Sequence, residues 1–169
     1  MTTAFQLSRI GIDVNLPTSA TYELLLVTTP EYPVGQVGFQ FENTPRKITG
    51  IQKVAQLFLK VLFTQKGTDV LYPAYGTAMP SIIYGANLQL DDTDTYLALT
   101  DAVSDAEAQV KYITGYNSDP ASTLTQAQPA GFNSTQELVS LYIWIQTAAG
   151  ENASIAIPFP QLDLPILSS

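Results

Sequence analysis

The chain contains neither cysteine nor histidine. It therefore holds no disulfide and no thiolate metal site, and its stability comes from packing alone. A Ser-His-Asp triad, a cysteine nucleophile, a histidine general base and an imidazole zinc site are excluded together. Carboxylate pairs, serine–lysine pairs and oxygen-ligated Mg2+ or Ca2+ remain chemically open. Nothing in the sequence implies a cofactor.

Charge is scarce as well. Only 13% of residues are charged, with 7 Lys and Arg against 15 Asp and Glu, for a net charge of -8. Such a molecule as a whole repels nucleic acid and anionic membrane, so neither is an expected partner. No apolar run approaches the roughly 20 residues needed to span a bilayer. The opening stretch from Met1 to Gly11 lacks a basic region followed by an apolar one, so nothing is expected to direct secretion or insertion, which fits cytoplasmic synthesis and also fits a virion. A thinly charged surface is often one that another protein covers, which favours an assembly subunit over a free monomer.

What is present is a chain of 169 residues that is 46% apolar, the size and composition of one folded domain. Tyr22 to Thr28 and Gly35 to Phe41 read as strands, separated by Pro30 and Pro33. From Thr49 to Thr64 the period changes. Ile51, Val54, Ala55, Phe58, Val61 and Leu62 recur at helical spacing, with Lys53 and Lys60 on another face. Leu57, Leu59 and Phe63 widen the apolar surface, so more than one side of this helix is expected to be covered. Thr49 is the expected N-cap and Gly67 the expected C-terminal stop. Pro73, Pro80, Gly76 and Gly85, interleaved with Tyr72, Tyr75 and Tyr84, make Thr68 to Gly85 an expected ordered loop.

A second helix is expected from about Asp92 to Lys111, with Tyr96, Leu99, Val103, Ala106 and Val110 on one face. Asp91, Asp92 and Asp94 suit its positive end. Gly115 to Thr135 is polar and reads as a long loop. Val139, Leu141, Ile143 and Ile145 then alternate with Ser140, Tyr142, Trp144 and Gln146, and Ile155, Ile157 and Phe159 alternate after a turn, which predicts a β-hairpin. Pro158, Pro160 and Pro165 interrupt a tail carrying Leu162, Leu164 and Ile166. Proline donates nothing to a ladder, so residues 158–169 are expected to form an edge strand or extended arm.

Five of the seven basic residues, Arg46, Lys47, Lys53, Lys60 and Lys66, fall in one stretch without an acid. Six acids, Asp91, Asp92, Asp94, Asp101, Asp105 and Glu107, fall between Asp91 and Val110 without a base. Two readings stay open: solvated faces that attract weakly within one molecule, or complementary patches that fix register between subunits.

The stretch Ile48-Thr49-Gly50-Ile51-Gln52-Lys53-Val54-Ala55-Gln56-Leu57-Phe58-Leu59-Lys60-Val61-Leu62-Phe63-Thr64-Gln65-Lys66-Gly67, continuing to Tyr72-Pro73-Ala74-Tyr75-Gly76, resembles the baseplate sheath-initiator family. These are small proteins of contractile phage tails and related injection machines. Gly50 before the helix, Thr64 and Gly67 after it, and the loop Pro73, Tyr75 and Gly76 stand at similar spacing to the family pattern, over roughly residues 37 to 85. The chain departs from the family's Glu-Pro-Arg-like element, for which the nearest match is Glu107-Ala108-Gln109-Val110.

The resemblance implies a small single α+β domain over 1–169, with two main helices on a mixed or antiparallel sheet, a C-terminal hairpin and an arm. It implies a virion structural protein made in the host cytoplasm and not an enzyme. Its site would be the tail baseplate, where it would link wedge proteins to the first sheath ring. Implied partners are the tail sheath protein, the wedge proteins and the tail tube or hub, with several copies in a ring. Strand exchange would use the hairpin and tail, through Tyr142, Trp144, Ile155, Ile157, Phe159, Leu162 and Leu164. Alternatives are another tail component, such as a tail-terminator or connector, and a carboxylate-dependent cell-wall glycosidase, since some similar proteins have been called lysozyme-like.

Overall fold

The computed structural model describes residues 11–14, 22–24, 26–28, 39–41, 47–84, 93–134 and 138–160. In chain order these form β1 (Gly11–Val14), β2 (Tyr22–Leu24), β3 (Leu26–Thr28), β4 (Phe39–Phe41), β5 (Lys47–Thr49), α1 (Gly50–Phe63), α2 (Met79–Tyr84), α3 (Thr93–Thr114), a 3-10 turn (Pro120–Ser122), β6 (Leu124–Ser134), β7 (Leu138–Thr147) and β8 (Asn152–Pro160). The architecture is α+β. β6, β7 and β8 form an antiparallel meander, and β1 adds to its far side in the order β1-β8-β7-β6. Two small antiparallel pairs, β2 with β5 and β3 with β4, stand apart from this sheet.

Period decides what each element buries. Along β7, Leu141, Ile143, Ile145 and Thr147 point into the core while Tyr142, Trp144 and Gln146 lie half-buried on the other face. β8 contributes Ala153, Ile155 and Ile157 to the same core. Above them pack α1, with Ile51, Val54, Phe58, Val61 and Leu62, and α3, with Leu99, Val103, Ala106 and Val110. α1 lies against β7, β8 and β1, and α3 lies against β6 and α1. Each large side chain removed from water here stabilises by about 1.5–3 kcal/mol, and α1 is covered on several sides as its wide apolar arc requires.

The structure corrects four local readings and bears out the position of one. Residues 124–134 are a strand and not loop: β6 has only one neighbour in the sheet, so its outer edge tolerates Pro129, and bulges near Thr125 and Ala130 break its alternation. Leu124 and Ala127, three apart, both face the core because the first bulge advances the side-chain phase by one residue. The expected loop from Thr68 to Gly85 contains α2, whose Pro80 is its second residue, where a missing N–H costs nothing. α1 ends at Phe63 through extended Thr64, ahead of Gly67. Thr49 occupies the N-cap position without a side-chain capping bond. Pro158 and Pro160 belong to β8, paired with Ser140 and Leu138, so the arm does not begin at residue 158. β8 lies between β1 and β7, and its described pairing with β1 covers Ala153 to Ala156, short of either proline.

α3 runs three residues past its expected end. Asp94 lies in its first turn, while Asp91 and Asp92 fall outside the described residues. The hairpin turn is held by the 3-10 segment: the Ala148 and Ala149 amides donate to the Thr123 and Pro120 carbonyls at 2.9 and 3.2 Å. Asp119 caps that segment, accepting from the Ala121 amide at 3.1 Å.

Candidate interaction surface

Residues 64–77 leave α1, travel outward and return to the start of α2, and their two ends are tied together. The Lys66 amide donates to the Thr77 carbonyl at 3.1 Å, and the Thr77 amide donates to the Thr64 carbonyl at 2.8 Å. Thr77 is fully buried; its hydroxyl donates to the Leu62 carbonyl at 2.6 Å and accepts from the Met79 amide at 3.0 Å. One side chain thereby uses an orphan carbonyl at the end of α1 and an orphan amide at the start of α2. The Thr64 hydroxyl donates back to the Lys60 carbonyl at 2.6 Å.

The loop is then clamped onto α3. Gln109 donates from Nε2 to the Gly76 carbonyl at 2.8 Å, and its Oε1 accepts from the Gly76 amide at 2.9 Å. One turn earlier, the Lys66 ammonium meets the Asp105 carboxylate at 3.1 Å, both side chains half-exposed. Gly76 has φ +95, and a Cβ there would fall on the Thr64 carbonyl oxygen. Only glycine permits both the conformation and the approach.

Of the residues that carry the family resemblance, those at the base of the loop come together. Thr64, Tyr75 and Gly76 lie at the base of the loop, with Tyr75 packed on the core, and Gly67 and Pro73 lie exposed further out. Gly50 is the buried first residue of α1, at φ +55. Glu107 lies within α3 and not between helix and strand. Its carboxylate meets the Lys111 ammonium at 2.7 Å, and Oε1 accepts the Ala127 amide of β6 at 3.1 Å, which joins helix to sheet. Gln109, which sequence reasoning passed over, holds the loop instead. Its signal was weak: a polar residue next to a core position inside an amphipathic helix.

At the outer end of the loop, Asp69 Oδ1 accepts from the Leu71 and Tyr72 amides at 2.9 and 3.1 Å. This turn presents Val70, Leu71 and Tyr72 at 93%, 83% and 69% exposure. Tyr112 near the end of α3 and Tyr116 just beyond it are also well exposed, with rings edge-to-face at 5.5 Å. The Tyr116 phenol is held above its ordinary pKa, chiefly by its hydrogen bond with Tyr112 and then by charge interaction with it.

The residues expected to bind through the hairpin divide three ways. Tyr142 and Trp144 lie on the outward face of the sheet. Ile155 and Ile157 are core residues, so their side chains are committed to this domain. Phe159 pairs with Val139 in β8, whereas Leu162 and Leu164 lie outside the described residues. As for the charge blocks, Lys66–Asp105 joins the basic stretch to the acidic helix inside one molecule, as the first of the two open readings has it.

Among the described residues no group of three or more Asp or Glu is placed to hold a metal ion, and no helix is long and apolar enough to cross a membrane. No family model, curated protein or solved structure matches the chain.

Proposed function

We propose that this chain is a structural subunit of a contractile tail baseplate, linking wedge proteins to the first ring of sheath and starting sheath assembly. The observation that carries the reading is the closed base of the loop, where Gly76 approaches the Thr64 carbonyl and is itself held by Gln109 of α3. Segments about 33 residues apart are locked into one surface feature, as a pattern kept for building a docking site would require. The sheet supports the strand-exchange part of the reading. Among the described strands β1 and β6 bound the four-stranded sheet, and a strand from another subunit would pair along one of these edges, limited on β6 by Pro129.

A catalytic reading has less support. A glycosidase needs two carboxyls about 5–9.5 Å apart in a cleft, one of them with raised pKa. Glu107 is occupied by Lys111 and the Ala127 amide, and Asp105 by Lys66. Carboxylates so engaged serve the fold.

The test is reconstitution. Purified chain, wedge proteins and sheath subunits are mixed on preformed tubes and viewed by electron microscopy. Sheath growing from one anchored end only when the chain is present is the expected result. Equal sheath growth without it overturns the reading.

A further inference from the structure

Among the described strands β6 bounds the sheet, yet its edge is not bare. Amides along a strand point alternately to one side and the other. The Ala127 amide donates to Glu107 Oε1 at 3.1 Å and the Leu124 amide donates to the Thr114 hydroxyl at 3.1 Å, so both point away from β7 and onto α3. Leu124 and Ala127 share this direction, although three apart, because the bulge at Thr125 lies between them. Two residues beyond Ala127, the next position facing that edge belongs to Pro129, which has no N–H to offer. Leu124, Ala127 and Pro129 thus give the edge no free donor. The two caps are spaced as the strand requires. Glu107 and Thr114 are seven residues apart on one face of α3 and span about 10 Å of helix, which matches three residues of strand. Each cap is itself held: Glu107 Oε1 also meets the Lys111 ammonium at 2.7 Å, and the Thr114 hydroxyl donates to the Val110 carbonyl at 2.8 Å. Oxygens on a helix here take the place of a neighbouring strand's carbonyls.

We infer that α3 guards the β6 edge: Glu107 and Thr114, with Pro129, keep residues 124–129 from pairing with the same edge of a second copy of this chain. Identical edges can pair antiparallel about a two-fold axis, so an uncovered β6 invites its own duplicate. Charged side chains are the common deterrent to such pairing, and β6 has none. Thr125, Gln126 and Gln128 are exposed beside the edge and would not repel a copy of themselves. Closure of the backbone donors is the deterrent in their place. The guard works whether or not the chain starts a sheath. Among the described edges it leaves a donated strand only β1 or the part of β6 past Pro129.

The test uses the full chain. Amide hydrogen exchange followed by NMR should show Leu124 and Ala127 protected in the wild type as they would be in a central strand. Glu107→Ala should speed exchange at Ala127 by about tenfold or more and leave Leu124 slow, and Thr114→Val should do the converse. Glu107→Gln and Thr114→Ser keep an oxygen in place and should keep both amides slow. Glu107→Ala combined with Pro129→Thr reopens two donors on one edge. By sedimentation it should give a species twice the mass of the wild type's, with unchanged circular dichroism, and Ala127 should become protected again as that species forms. Fast exchange of both amides in the wild type overturns the guard. So does a double variant that keeps the wild-type mass, or a larger species in which Ala127 stays fast, since that is association elsewhere. Should the double variant lose its circular dichroism, Pro129→Thr alone, which disturbs neither cap, is measured at higher concentration. It must then associate where the wild type does not. None of these readouts involves sheath, so reconstitution succeeds or fails separately.

Discussion

Gln109 binds Gly76 as one peptide group binds another, donating from its amide nitrogen and accepting at its amide oxygen at 2.8 and 2.9 Å. A side chain in the middle of α3 thereby completes the hydrogen bonding of a glycine that no backbone neighbour serves in this way. The clamp joins the end of α1, the start of α2 and α3.

Gly76→Ala is expected to be among the costliest single-atom additions in the domain. Strain at φ +95 alone costs about 1–3 kcal/mol, and collision with the Thr64 carbonyl adds to it. Gly67→Ala, at φ +88 with open space around it, should cost only about 1 kcal/mol. Urea midpoints of the two variants check the difference, and equal shifts would show that the Thr64 approach is unimportant.

Gln109→Ala removes both bonds to Gly76 and should cost about 1–3 kcal/mol. Gln109→Glu keeps the acceptor but loses the donor to the Gly76 carbonyl, so it should fall between wild type and alanine. Hydrogen exchange at the Gly76 and Thr77 amides reads the clamp directly: both should exchange faster in Gln109→Ala.

Phe58 is fully buried between the helices and the sheet, so Phe58→Ala should destabilise by about 3–5 kcal/mol. Lys53→Ala, on the other face of α1, should change stability by no more than about 0.5 kcal/mol. Thermal melts that moved equally for the two would contradict the orientation of α1.

Purified chain should not hydrolyse peptidoglycan. Glu107→Ala should instead loosen the seam between α3 and β6 by leaving the Ala127 amide without its acceptor, a loss of about 1–3 kcal/mol. A dye-release assay and a denaturation curve test the two statements. Turnover in the wild type that Glu107→Gln abolishes would make the chain an enzyme.

Truncation after Pro160 retains every paired residue of β8. The shortened chain should fold with an unchanged far-ultraviolet spectrum yet start sheath poorly, giving tubes without an anchored sheath. Normal sheathed tails from it would remove the C-terminal arm from the mechanism and leave β1 and the hairpin.

How much of this was legible beforehand depended on whether an element's period survived in its residues. Val54, Phe58, Val61 and Leu62 announce a helix, and Leu141, Ile143 and Ile145 a strand, because each faces one continuous core. β6 was hidden, since an edge strand with two bulges keeps no fixed alternation and exposes Thr125, Gln126, Gln128 and Ala130. α2 was hidden behind Pro80, a residue that breaks a helix in its interior and fits one in its first turn. The family-like positions were visible as a pattern, but nothing in their spacing said that Gly76 needs Gln109.

By itself, the sequence excluded thiol and imidazole chemistry, set one apolar core for one domain, and placed both main helices and the hairpin, because composition and local periodicity act within a few residues of chain. The tertiary structure alone decided that Ile155 and Ile157 are spent on the core, that Glu107 binds a strand amide, and that Gln109 holds Gly76. Those outcomes rest on contacts between segments tens of residues apart, where the hydrogen bonding of one element is completed by a side chain of another and no local pattern records the pairing.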